Sequence, residues 1–184
     1  MRLVIRWGIV MNLKALFAAG ALAVMGPALP AHADVKSAAA DGMILQFKGE
    51  VALSRDDACS RLLNPSAWWN GGHTYSGDSK NLSVDAVAGG CWCELWEGGE
   101  VEHGRVIYLK RDEAVRYNAP LGPLQGLGVN SVVTFSLANG SAAGRTAVTI
   151  DMVVVGSSLS GLDKLAPVVN QVLAEQVKGF VTLK

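Results

Sequence analysis

The sequence is poor in charge. Only 17% of its 184 residues are Asp, Glu, Lys or Arg, with 16 acids and 16 bases, so the formal net charge is zero. No basic cluster stands out, which argues against a nucleic-acid partner. Histidine and cysteine are scarce, at 3 residues each. Cys91 and Cys93 point one way on an extended strand with Glu102 on the same face. Their spacing is not that of a zinc knuckle, and a tetrahedral site needs more ligands than these. No metal and no cofactor is expected. Gly126-Leu127-Gly128 is not a nucleotide loop, because no helix follows it. A bilayer-spanning run is also missing. The apolar stretch from Ala15 to Leu29 is interrupted by Gly26 and Pro27, where roughly 20 unbroken apolar residues are wanted.

That stretch reads instead as an export signal. Lys14 ends a short basic start at Met11, and Ala31-His32-Ala33 is a small-x-small cleavage sequence before Asp34. Residues 1–33 are therefore expected to be a signal peptide, with Met11 as a plausible start. The mature protein would be periplasmic or secreted, without stable membrane insertion. It would keep 184 − 33 = 151 residues and all 16 acids but only 13 bases, a net charge of 13 − 16 = −3. That length fits one domain, placed at 43–184 behind a mobile leader at 34–42.

Met43 to Leu53 alternates, with Leu45, Phe47, Val51 and Leu53 to one side and Gln46, Lys48 and Glu50 to the other. This is the pattern of a half-buried strand. Ser54 is placed to cap a helix over Arg55–Leu63, with Asp56 and Asp57 in its first turn. Asn64-Pro65 opens a second short helix reaching Asn70, which carries Trp68 and Trp69. Residues 71–80 read as a polar loop with a solvated His73. Strands are expected at 81–86, at 114–119 with Val115 and Tyr117 together, and at 131–137 with Val133 and Phe135 inward. A further strand over 145–155 has Ile150 and Met152 inward. Leu162, Leu165, Val169, Val172, Leu173, Gln176, Val177 and Phe180 then form the stripe of an amphipathic helix. Pro167 is assigned to the first turn of its main section, after a separate lead-in turn at 161–166.

Between these lies a hairpin, Gly89 to Ile107. Gly98-Gly99 as its two-residue loop pairs Glu94 with His103 and Trp92 with Arg105. One face then carries Trp92, Glu94, Trp96, Val101, His103 and Arg105. This is either the lining of a polar-tipped pocket or a solvated face. An imidazole held by a carboxylate suits general acid/base chemistry, and Arg105 could hold an anionic oxygen. A cross-strand Glu–His pair is also ordinary sheet decoration. The thiols leave three alternatives open: Cys59 bridged to Cys91 or Cys93, a puckered Cys91–Cys93 bridge, or three reduced cysteines.

The order of elements predicts an α+β domain with about seven antiparallel strands and a segregated terminal helix. One amphipathic helix cannot fill the inner face of so wide a curved sheet, so a hollow remains between them.

NPSAWWN, AVAGGCWCE, HGRV, LGPLQGLGV and LDKLAPVVNQVLAEQV, in that order, resemble the SRPBCC superfamily, in particular an exported bacterial subgroup of these START-like, polyketide cyclase-like helix-grip proteins. The resemblance covers roughly residues 43–183. It implies a helix-grip fold that encloses an apolar or amphipathic small molecule between sheet and helix, in a monomer. It also implies that Trp92 points into the hollow, and the hairpin pairing then gives Glu94, His103 and Arg105 the same direction. Trp69, Trp92, Glu94, Trp96, His103, Arg105, Tyr117 and Phe135 are the expected cavity residues. A binding protein is one functional reading. A cyclase- or dehydratase-like enzyme using His103, Glu94 and Arg105 in the same cavity is the alternative.

Overall fold

The computed structural model describes residues 32–183, so the export signal lies largely outside the described residues. Among the described residues, eight strands form one antiparallel sheet: β1 (His32–Ala39), β2 (Gly42–Val51), β3 (Leu82–Val84), β4 (Cys91–Trp96), β5 (Gly99–Lys110), β6 (Ala114–Asn118), β7 (Asn130–Asn139) and β8 (Thr146–Val155). Their spatial order is β1-β2-β8-β7-β6-β5-β4-β3. Two α-helices accompany them, α1 (Arg55–Leu62) after β2 and α2 (Leu162–Thr182) at the end. The alternation of β2 is real: Met43, Leu45 and Phe47 are buried on its inner face. Its ladder aligns Leu45 with Met152, Val133 and Tyr117, and Phe47 with Ile150, Phe135 and Val115. These rows form the floor against which α2 buries Leu162, Leu173, Val177 and Phe180.

The capping residues work as their chemistry dictates. Ser54 Oγ accepts the Asp57 N–H at 3.1 Å, and Asp56 and Asp57 sit at the positive end of α1. The second short helix shrinks to one 3-10 turn, Pro65–Ala67. The Trp68 indole N–H reaches back 2.9 Å to the Arg61 carbonyl and fixes the chain reversal there.

Three expectations need correction. The mobile leader is a strand: β1 pairs with β2 along its length, with Val35 opposite Leu45. Its Ala and Ser side chains carry little hydrophobic signal, and backbone pairing to the free edge of β2 places it instead. The ordered domain therefore begins ahead of residue 43. In the terminal helix, residues 162–182 are continuous, with Pro167 inside. So near the helix start, proline forfeits only the bond to the Asp163 carbonyl. The Leu162 N–H is satisfied from outside, by the Ala40 carbonyl at 3.0 Å in the β1–β2 turn.

The third correction is the hairpin register. Glu97-Gly98 is the loop, because Gly98 takes the positive φ of 89° and Trp96 pairs with Gly99. Glu94 consequently faces Val101, not His103. The ladder then slips: Cys93 pairs with Glu102 but Trp92 pairs with Gly104, leaving His103 as the extra residue of a bulge. Both His103 and Gly104 turn inward and are buried. After the bulge the alternation is reversed, so Arg105 points outward.

Candidate functional site

A cavity of about 510 Å³ lies between sheet and helix. Leu165, Val168, Val169, Val172 and Leu173 of α2 form one wall. Residues 121–124, the apolar Gly/Pro turn, form another, and Met152 of β8 is the floor. The last side is a lid of Trp69, His73, Thr74 and Tyr75.

The lid is fastened by side chains from three directions. On α2, Gln176 Oε1 accepts the Asn70 N–H at 2.7 Å, which explains a buried glutamine within an otherwise apolar stripe. His73 Nε2 lies 2.9 Å from Glu175 Oε2, and this hydrogen bond, ahead of the opposing desolvation, holds the Glu175 carboxyl below the usual range. Across the mouth, the Tyr75 hydroxyl donates to the Gly122 carbonyl at 3.1 Å.

From the sheet, Glu94 holds the lid backbone. This carboxylate is wholly buried and accepts the Ser76 N–H on Oε1 at 2.5 Å and the Tyr75 N–H on Oε2 at 3.1 Å. His103 Nε2 is 2.9 Å from the same Oε2. Burial pushes the Glu94 pKa up, but the hydrogen bonds from Ser76, Tyr75 and His103 together outweigh it and keep the group below the ordinary carboxylate value.

Behind the cavity an aromatic chain runs into the core. Trp69 meets Trp92 edge-on at 5.2 Å, Trp92 meets Tyr117 at 5.2 Å, and Tyr117 meets Phe135 edge-on at 6.0 Å. Burial raises the Tyr117 pKa, so its phenol stays protonated.

Of the eight residues expected to line the cavity, Trp69 does so directly. Trp92, Tyr117 and Phe135 support it from behind. Glu94 and His103 do meet, but as the anchor of the lid. His103 opens on a second, solvent-side hollow of about 520 Å³ with Arg105, Asn118 and Gln125. Arg105 bonds the Gly89 carbonyl at 3.0 Å and Glu102 at 2.5 Å, outside the main cavity. Trp96 packs over Gly99 at the hairpin tip. His73 is exposed, as expected, yet it also borders the cavity as part of the lid, with Thr74 and Tyr75. Loop residues without periodicity gave no sign of this. The apolar character of 121–124 and the α2 stripe were the available signals. Cys91 and Cys93 form a disulfide, while Cys59 is a free, buried thiol and not a bridge partner.

No family model matches the chain, and no curated protein does. Solved structures do. Protein Ms6760 from Mycobacterium smegmatis matches at 12% identity over 85% of this chain and 97% of its own, with a TM-score of 0.54. The Aha1 dimer from Colwellia psychrerythraea matches at 15% identity over 75% and 92%, with a TM-score of 0.53. Protein NE0264 from Nitrosomonas europaea matches at 15% identity over 80% and 96%, with a TM-score of 0.52. Likeness at such low identity is likeness of fold. An open antiparallel sheet gripping a long C-terminal helix, shared with these proteins over most of their length, gives this chain a helix-grip fold.

Proposed function

We propose that this protein binds an apolar or amphipathic small molecule in the cavity between sheet and α2. The cavity carries the reading: its 510 Å³ falls within the roughly 300–1,000 Å³ of ordinary small-molecule sites. Its walls are mostly Leu, Val and Met, with Thr74 and His73 as polar points near the mouth. An acid/base role for Glu94 is disfavoured because three N–H groups already occupy its oxygens. The reading includes export, for which the leader sequence and a disulfide suited to an oxidising compartment are the support. It also includes a monomeric state, since one chain forms the whole cavity.

Solvent extraction of protein purified from its own cells, followed by mass spectrometry, should release a stoichiometric apolar compound. Titration with a long-chain fatty acid should quench tryptophan emission, and Trp69→Phe should remove most of that response. A folded protein that yields no compound and shows no quenching with apolar probes would refute the proposal.

A further inference from the structure

The Cys91–Cys93 bond plays no part in lining the cavity, yet it straddles the residue on which the cavity wall rests. The sulfurs lie on the outer face of β4, and Trp92 between them lies on the inner face against Trp69. The next residue is Glu94, which holds the lid backbone. Both cysteines are half-buried, so a solvent-borne thiol can reach them, whereas Cys59 is fully buried.

Such a bond is unlike a structural crosslink. It encloses one intervening residue, so it removes little freedom from the unfolded chain. It also draws the strand in: the Cα atoms of Cys91 and Cys93 are 5.4 Å apart, where two residues of extended strand span roughly 6.6 Å. The ladder slips at this point, between Trp92 and Cys93, and the bulge that brings His103 to Glu94 lies opposite. Bond, contraction and bulge coincide.

We propose that Cys91–Cys93 is a reversible thiol–disulfide exchange site, with a dithiol as its co-reactant, and that its oxidation state sets the position of Trp92. A thiolate of the dithiol attacks Cys93 Sγ. The protein S–S bond breaks, a mixed disulfide forms, and Cys91 leaves as a thiolate that takes a proton from water. The second thiol of the co-reactant then attacks the mixed disulfide and releases Cys93. Two electrons pass to the protein, and the dithiol becomes a disulfide. With the bond open, β4 can extend, carrying Trp92 away from Trp69 and Glu94 away from Tyr75 and Ser76. The inference stands apart from ligand binding, because its readout needs no ligand.

The experiment equilibrates the folded protein with mixtures of reduced and oxidised dithiothreitol, quenches, alkylates and maps the peptides, with circular dichroism and tryptophan emission read in parallel. Cys91 and Cys93 should become alkylated together while the sheet signal persists and Cys59 stays unmodified. The midpoint should lie at a dithiol ratio at least about tenfold less reducing than any that abolishes the fold. Emission should shift with the same midpoint, and Trp92→Phe should abolish that shift. The double variant Cys91→Ser, Cys93→Ser should show the reduced-state emission and no response to dithiol. Thiols that appear only as the sheet signal is lost would overturn the inference, as would reduction with unchanged emission.

Discussion

Replacing Glu94 by Gln perturbs the anchor of the lid with almost no change of shape. The carboxylate accepts three hydrogen bonds, one on Oε1 and two on Oε2. An amide has one oxygen, so its NH₂ group must take one of these places. Set at the Oε1 place, it would confront the Ser76 N–H, donor against donor. Set at the Oε2 place, it can donate to His103 once the imidazole proton moves to Nδ1, leaving only the Tyr75 N–H unpaired. The second arrangement is the cheaper. It orphans one buried donor and turns a charge-assisted bond to Ser76 into a neutral one, a loss of about 2–4 kcal/mol. For a domain of this size that lowers Tm by about 4–16 °C. Urea and thermal unfolding measure the loss. Amide exchange at Tyr75 and Ser76 should accelerate well beyond that of β7 and β8. A Glu94→Gln protein within about 0.5 kcal/mol of wild type, with unchanged exchange in the lid, would refute the assignment of Glu94 as an ionised anchor.

Two further outcomes follow from the same contacts. Glu94 and Glu175 both have depressed folded-state pKa values, so the stability they contribute is fully present above the ordinary value of 4.5 and is lost as pH falls through the folded values. Wild type should therefore lose stability progressively below about pH 4.5, and Glu94→Gln should show a shallower acid limb; parallel limbs would contradict the linkage. Gly179→Ala should destabilise although the site is helical, because its Cβ would lie 2.6 Å from the Trp68 carbonyl oxygen. Denaturant unfolding should show a loss of about 1–3 kcal/mol, and a gain would mean that the Trp68 turn can withdraw from α2.

The fold was legible because its signals are periodic. Leu45 and Phe47, the Val133–Phe135 pair and the α2 stripe each reveal a buried face through spacing alone. The features without a periodic signature depend on events of single residues. β1 has small side chains and is held by backbone pairing, which leaves little trace in composition. The inward turn of His103 and the outward turn of Arg105 depend on one bulge, and a bulge changes no residue type. Glu94 and His103 share a face as expected, because the expected pairing of Glu94 differs from the observed one by two residues and an even slip preserves the face. The lid has the weakest local signature: His73 and Tyr75 lie in a loop whose placement depends on contacts with Glu175 and Gly122, far along the chain.

The junction of Leu162 with Ala40 bears on when the chain can fold. The first amide of the last helix finds its partner in the first hairpin, and α2 rests on β1 and β2. The two ends of the domain therefore complete one another, and a chain still lacking its last 20 or so residues has a sheet with its inner face uncovered. Such distant pairing makes for slow, late folding. The domain can gain its native packing only once α2 has been made, so the growing chain stays open to threading or to chaperones for as long as α2 is missing.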